Sequence, residues 1–132
     1  MNAFTKFNKG LLKMPVYAQL WVMLLMVANL VVPLFFLGRP EAKIVAATFV
    51  ASAMLMMALT ALRGFTRLLG LGHVLWFPLL VFLWTRLEEI PADDFFGIWL
   101  RVLMALNAVS LVIDVVDVIR YALGDRAEMV DV

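Results

Sequence analysis

The sequence predicts an all-α integral membrane protein: a four-helix bundle whose helices span the bilayer, with a short N-terminal amphipathic interfacial helix. Hydrophobic residues make up 65% of the 132 residues and charged residues only 16%, whereas soluble domains are about 45–50% apolar and about 25% charged. A soluble fold of this size has too little interior to bury so much apolar surface. The lipid bilayer is therefore the predicted environment of most side chains.

The first 15 residues predict an amphipathic helix that lies in the membrane interface and ends before Pro15. Its apolar face is formed by Phe4, Phe7, Leu11 and Met14, and its opposite face carries Lys6, Lys9 and Lys13. A helix of this kind buries its apolar face among lipid chains and leaves its lysines among the headgroups. The three lysines are therefore predicted to anchor the chain to the membrane surface; the alternative is an unstructured basic tail.

The four spans are predicted at residues 16–38, 44–63, 70–87 and 97–123, and residues 124–132 are predicted to form a polar cytoplasmic tail. The first apolar run is too long for a signal peptide, whose apolar region is about 7–15 residues. The third run, Val74–Arg86, has only about 13 residues, whereas a crossing needs about 20. Residues 64–73 are therefore left open as a loop, a re-entrant segment or the start of the third span.

The distribution of basic residues predicts the orientation of the chain. Seven lysines and arginines fall on the side of the two termini and four on the opposite side, which also holds an acidic loop at residues 88–94. Because cytoplasmic loops carry the excess of lysine and arginine, both termini are predicted to lie in the cytoplasm. The expected location is a bacterial-type inner membrane.

The last predicted helix carries a line of polar residues along one face, which we call the polar seam. The seam consists of Asn107, Ser110, Asp114, Asp117 and Tyr121, at spacings of 3, 4, 3 and 4. Alternating spacings of three and four place side chains on a single helical face. A carboxylate at the centre of a membrane helix costs about 2.5–3.5 kcal/mol on insertion scales, so the seam is predicted to face other helices.

Two interpretations of the seam remain open. In the structural one, its acids pair with arginines, and the second and fourth spans pack together through their polar lines. The candidate partners are Arg63, Arg67 and Arg120. In the functional one, Asp114 and Asp117 line a path for protons or cations, because two partly dehydrated neighbouring carboxylates suit reversible protonation.

Most other chemistry is disfavoured by the sequence. The chain has no cysteine and a single histidine, His73, which rules out thiolate metal sites and predicts no bound metal and no cofactor. His73 is interpreted as a polar anchor at the start of the third span, and the alternative is a titrating group at the membrane interface. Neither a nucleophile triad nor a phosphate-binding glycine loop is present, and the net charge of +1 gives no reason to expect nucleic acid as a partner.

The function predicted from these observations is that of a small non-enzymatic membrane protein. It is expected to act as a structural or accessory subunit that packs with itself or with another membrane protein. The alternative is a small oligomeric channel or proton-coupled transporter that uses Asp114 and Asp117.

Overall fold

The computed structural model describes residues 2–127 and 129, and every regular element within them is helical. Five α-helices are joined by shorter turns of 3₁₀ or π helix. The α-helices are α1 (Ala3–Lys13), α2 (Val16–Met26), α3 (Pro40–Arg63), α4 (Trp76–Arg86) and α5 (Phe95–Ala122). The shorter turns are Val27–Val31 (π), Pro33–Phe36, Arg67–His73 and Leu87–Glu89 (all 3₁₀).

Four continuous helical segments are long and apolar enough to cross a membrane. They are Val16–Phe36, Pro40–Arg63, Arg67–Glu89 and Phe95–Ala122, with mean hydropathies between 1.8 and 2.2. Only 17–28% of each apolar stretch is buried within the chain, so most of its side chains face outward, as helices surrounded by lipid do. The prediction of a membrane protein with four candidate spans is confirmed at this level.

The ends of the helices are set by caps and prolines. The Asn2 side chain accepts from the N–H of Thr5 at the start of α1, and Asp94 accepts from the N–H of Gly97 at the start of α5, at 2.8 and 2.7 Å. Pro15 separates α1 from α2, because proline cannot donate the backbone hydrogen bond that a continuing helix needs. Gly64 ends α3 with a φ of 79°, a conformation that favours glycine.

Neighbouring spans run antiparallel, and the first and third spans lie between the second and the fourth. Trp21, early in the first span, contacts Ser110, late in the fourth span. Phe36, at the end of the first span, contacts Phe95, at the start of the fourth. The third span packs on both α3 and α5, which have almost no contact with each other. The hypothesis that the second and fourth spans pack together directly is therefore wrong, because a slender part of the third span separates them.

That slender part is the 3₁₀ segment Arg67–His73, which continues into α4 and brings the third span to 23 residues. A 3₁₀ helix rises about 2.0 Å per residue, whereas an α-helix rises about 1.5 Å. The seven residues of the segment thus lengthen the third span, whose apolar run is too short by itself to cross a membrane.

Two glycines make the segment thin enough to fit between α3 and α5. A Cβ added at Gly70 would lie 2.8 Å from the backbone oxygen of Asp114, and one added at Gly72 would collide with Met56. Small residues let membrane helices approach closely at such crossings. The third span therefore touches α5 backbone to backbone at Gly70.

Gly70→Ala is expected to lower the free energy of unfolding by about 1–3 kcal/mol, the usual cost of overpacking. The added methyl group meets a backbone atom, which cannot turn away as a side chain can. Gly38→Ala is the matched control, because nothing lies within 4 Å of a Cβ at that position. Unfolding in mixed micelles of mild detergent and dodecyl sulfate measures both variants, and equal stabilities of the two would contradict the close crossing.

Helix α1 packs against the protein through part of its apolar face. Phe7 and Gly10 are buried, and the Phe7 ring lies 6.0 Å from that of Phe65, centroid to centroid. Leu11 and Met14 border the same cluster. The rest of the apolar face is exposed, since Phe4 keeps 64% of its surface.

Candidate functional site

Four residues of the polar seam face the other helices in the structure. Asn107 and Ser110 are buried, whereas Asp114 and Asp117 are partly exposed. The acids lie nearer the end of the spans at which both α1 and the last residues of α5 are found, and we call this the terminal end. Burial along the seam therefore increases from its charged groups to its neutral ones, as the cost of burying charge requires.

The deepest seam residue is paired with an asparagine of the first span. Asn107 Nδ2 donates to Asn29 Oδ1, and Asn29 Nδ2 donates to Asn107 Oδ1, both at 2.9 Å. Neither residue has any exposed surface. Asn29 also donates to the carbonyl oxygen of Leu25 at 2.9 Å. The two amides thus satisfy each other inside an apolar core.

One turn nearer the terminal end, Ser110 accepts a hydrogen bond from the indole of Trp21. The distance from Trp21 Nε1 to Ser110 Oγ is 2.9 Å. An indole can only donate and a hydroxyl can accept, so the pair satisfies the N–H of the partly buried Trp21.

Asp114 contacts the single histidine of the chain. His73 Nδ1 lies 2.8 Å from Asp114 Oδ2, and both side chains are mostly buried. The imidazole also stacks on the indole of Trp76, with ring centroids 4.1 Å apart and planes inclined by 10°. The 3₁₀ segment Arg67–His73 brings His73 to this position. His73 is thus a member of the site, not the plain polar anchor that the sequence suggested.

Asp117 forms an ion pair with Arg67, the first residue of the 3₁₀ segment. Arg67 Nη1 lies 2.9 Å from Asp117 Oδ1, and its Nε lies 3.1 Å from Asp125 Oδ2. Arg120 also binds Asp125, at 2.8 Å. Of the three candidate arginines, Arg67 alone pairs with a seam acid among the described residues, and Arg120 joins the network through Asp125.

Arg63 and Tyr121 lie outside this network. Arg63 is exposed at the end of α3, and Gly64 turns the chain there so that Arg67, four residues later, occupies the position facing Asp117. Tyr121 is partly exposed, and the guanidinium of Arg126 lies 5.1 Å from its ring centroid. Its backbone oxygen accepts from Arg126 Nε at 3.0 Å. Tyr121 thus continues the spacing of the seam without facing another span.

The lysines of α1 divide between two environments. Lys9 and Lys13 are exposed and Lys6 is partly buried. All three belong to the helix that leads into the terminal end, where the charged seam residues also lie.

A cavity of about 140 Å³ lies beside the charged pairs. Its polar lining comes from Arg67, His73, Ser110, Asp114 and Asp117, and the rest is apolar. Beyond Asn29 and Asn107 no polar line continues among the described residues, and the interior is filled by buried leucines such as Leu83, Leu100 and Leu103. The polar region therefore opens toward the terminal end and closes in the middle of the protein.

Two polar contacts of structural importance were not predicted from the sequence. In the π turn, the Val32 N–H donates to the carbonyl of Val27, five residues back. The next bond of this i→i−5 pattern would come from Pro33, which has no N–H to donate. The carbonyl that Pro33 leaves free, that of Ala28, accepts from Trp99 Nε1 at 2.8 Å. Proline within a membrane helix signals such a freed carbonyl, but not its partner.

The second missed contact lies at the opposite end of the spans. Glu41 is 96% buried near the start of α3, and its Oε1 lies 3.1 Å from Nε of Arg86. Arg86 also contacts Glu89, at 3.2 Å on the surface. A single glutamate beside a turn gives no sign of such burial in the sequence.

The described residues contain no group of three or more histidine, cysteine, aspartate or glutamate side chains arranged to hold a metal ion. No protein-family model, curated protein or solved structure matches this chain.

Proposed function

We propose that the protein is a small non-enzymatic accessory subunit of a bacterial-type inner membrane, and that it packs its helices against a second membrane-spanning chain. The second chain is another copy or a larger membrane protein. The observation that carries this proposal is that the polar seam finds its partners inside the chain. The polar groups of the seam thus need no substrate or ion to satisfy them, and apolar surface is left for contact with other helices.

The proposed contact surface is an apolar groove between α4 and α5. Its volume is about 470 Å³, and its walls include Phe77, Leu80, Val81, Val112 and Val116, with the small Ala108 between them. Association of membrane helices depends on close packing, which small residues favour. This shape suits a ridge of side chains on another membrane helix.

In the proposed arrangement, the four spans form a four-helix bundle with both termini in the cytoplasm. The excess of lysine and arginine at the terminal end supports this orientation. Helix α1 lies at the cytoplasmic interface, with Lys9 and Lys13 toward the headgroups and Phe4 toward the lipid chains. The exposed Phe4 ring supports this placement.

The oligomeric state and co-purifying chains test the subunit proposal. Because the chain has no cysteine, a single Val112→Cys substitution gives an unambiguous cross-linking site in the groove. We expect this variant to cross-link in native membranes to a second copy or to one defined larger protein. Val109→Cys, also exposed but outside the groove, is the control. The proposal would be rejected if the protein were a lone monomer in mild detergent and the Val112→Cys and Val109→Cys variants cross-linked to the same extent.

The second candidate function is movement of protons or cations along Asp114 and Asp117. The contact of His73 with Asp114 beside a cavity supports it, because imidazole and carboxylate exchange protons readily. The apolar middle of the protein argues against a path through one chain, so a path would need an oligomer. Proton and cation flux into liposomes tests it: absence of flux, or flux unaffected by Asp114→Asn together with Asp117→Asn, would remove this candidate.

A further inference from the structure

We propose that a second cavity, between α1, α2 and α3, binds a lipid-soluble molecule that presents a carbonyl oxygen. The cavity has a volume of about 260 Å³, near the lower limit of the roughly 300–1,000 Å³ typical of small-molecule sites. This cavity is separate from the groove of the proposed function, and His73 is the one member of the charged pairs that also lines it. The variants that test the cavity leave His73 and Asp114 unchanged.

Two buried polar groups in the lining of this cavity have no partner. Trp76 and Ser52 both line it, and neither the Trp76 Nε1 nor the Ser52 Oγ makes a hydrogen bond. Both residues are at least 99% buried. Buried polar groups are nearly always hydrogen-bonded in proteins, so two unsatisfied groups at one cavity call for an occupant that supplies the missing partner.

The two groups lie at the same level of the membrane. Met56 packs on Gly72 where α3 crosses the antiparallel third span. Ser52 is one turn before Met56, and Trp76 is one turn after Gly72, so Ser52 and Trp76 face the cavity from neighbouring spans at equal depth. A serine in a helix often bonds the carbonyl four residues back, as Thr60 does with Met56 at 2.9 Å. The Ser52 hydroxyl has no such bond.

The chemistry of these groups defines the occupant. An indole N–H is a donor only, so the occupant must offer an acceptor oxygen. Most of the lining is apolar, including Phe7, Leu25, Phe49 and Met57. The polar lining residues are Asn8, Ser52, His73 and Trp76. A water takes up about 30 Å³, so one water between Ser52 and Trp76 would leave most of the cavity of about 260 Å³ unfilled. The cavity therefore favours a larger apolar molecule that carries an acceptor.

The cavity can be reached from the lipid. Phe4 and Met26 form part of its wall and keep 64% and 40% of their surfaces exposed. Helix α1 forms one side of the opening. A molecule dissolved in the bilayer can therefore enter sideways, with its apolar body between α1 and α3 and its oxygen toward Trp76.

Binding to the full chain in detergent, counted by native mass spectrometry, tests this proposal with three ligands of equal chain length. They are a decyl-substituted benzoquinone, methyl decanoate and decane. We expect one molecule per chain for a carbonyl ligand and at least tenfold weaker binding for decane. The quinone and the ester distinguish a ring carbonyl from an acyl-lipid carbonyl as the natural source.

Three cavity variants and one surface control complete the test. Trp76→Phe keeps the ring but removes the donor, and Ser52→Ala removes the hydroxyl; we expect each to weaken carbonyl binding by about tenfold, the effect of one hydrogen bond. Ala53→Leu fills the cavity without touching either donor and should abolish binding, whereas Trp84→Phe, on the exposed surface, should not alter it. Equal affinity for decane and the carbonyl ligands, no binding of any ligand, or affinity unchanged in all three cavity variants would overturn the proposal.

Discussion

Arg86→Ala is expected to lower the free energy of unfolding by about 2–3 kcal/mol. The substitution leaves the carboxylate of Glu41 buried without its cation, and Glu41 is 96% buried. Breaking a fully buried ion pair costs more than this, about 3–5 kcal/mol. The expected loss is smaller here because the side chain of Arg86 is 37% exposed and because the N-terminus of α3 also favours a negative charge.

The same arginine provides an internal control. Glu89 pairs with Arg86 at the surface, where ion pairs contribute about 0–1 kcal/mol, so Glu89→Ala should leave stability almost unchanged. Adding Glu41→Gln to Arg86→Ala should recover part of the loss, because the buried charge is then gone. Unfolding in mixed micelles gives all the values. Similar small losses for Arg86→Ala and Glu89→Ala would show that Glu41 does not depend on the arginine.

Asn107→Leu is expected to lower the free energy of unfolding by about 2 kcal/mol, because it leaves the Asn29 amide buried and without its main partner. Leucine has a similar shape to asparagine, so the change tests hydrogen bonding more than packing. The two amides are fully buried and bond each other reciprocally. Unfolding of the variant in detergent micelles measures the loss.

The double variant Asn29→Leu with Asn107→Leu separates the pair from its surroundings. Replacing both partners by apolar groups removes the unsatisfied amide, and we expect the double variant to be more stable than Asn107→Leu alone. The coupling free energy from the four proteins should exceed about 1 kcal/mol. Strictly additive losses would mean that each asparagine is satisfied by other groups.

The spans could be predicted because apolar length is a property of the local sequence. The polar seam could also be predicted, because its spacing of three and four depends only on the helix that carries it. The partners of the seam could not. His73 and Asp114 are 41 residues apart, and what joins them is the way the third span enters between α3 and α5.

Arg67 and Arg63 show why the sequence alone does not identify the arginine that pairs with Asp117. Both lie near the same end of the second span, and only three residues separate them. Gly64 leaves helical geometry at a φ of 79°, and the chain then turns into the 3₁₀ segment. That turn leaves Arg63 at the surface and carries Arg67 to Asp117. The direction of the backbone decides this outcome, and it cannot be read from the charge or the membrane depth of the two arginines.

The interior of the first span was beyond prediction for a similar reason. Asn29 and Pro33 are visible in the sequence, but the π turn that connects them is not. The shift to i→i−5 bonding leaves the Ala28 carbonyl free, and Trp99 satisfies it from the fourth span. The position of Trp99 depends on how α5 is placed, which is a tertiary property.

The four pairs along α5 differ in kind, and this fixes how far the helix can slide. From the interior outward, α5 meets an amide, an indole, an imidazole and a guanidinium. A slide of one turn, about 5.4 Å, toward the terminal end would put Leu103 against Asn29; a slide the other way would carry Asn107 to the level of Pro33. Either displacement leaves a buried amide without its partner, so the four pairs together permit a single register of α5 against the first and third spans.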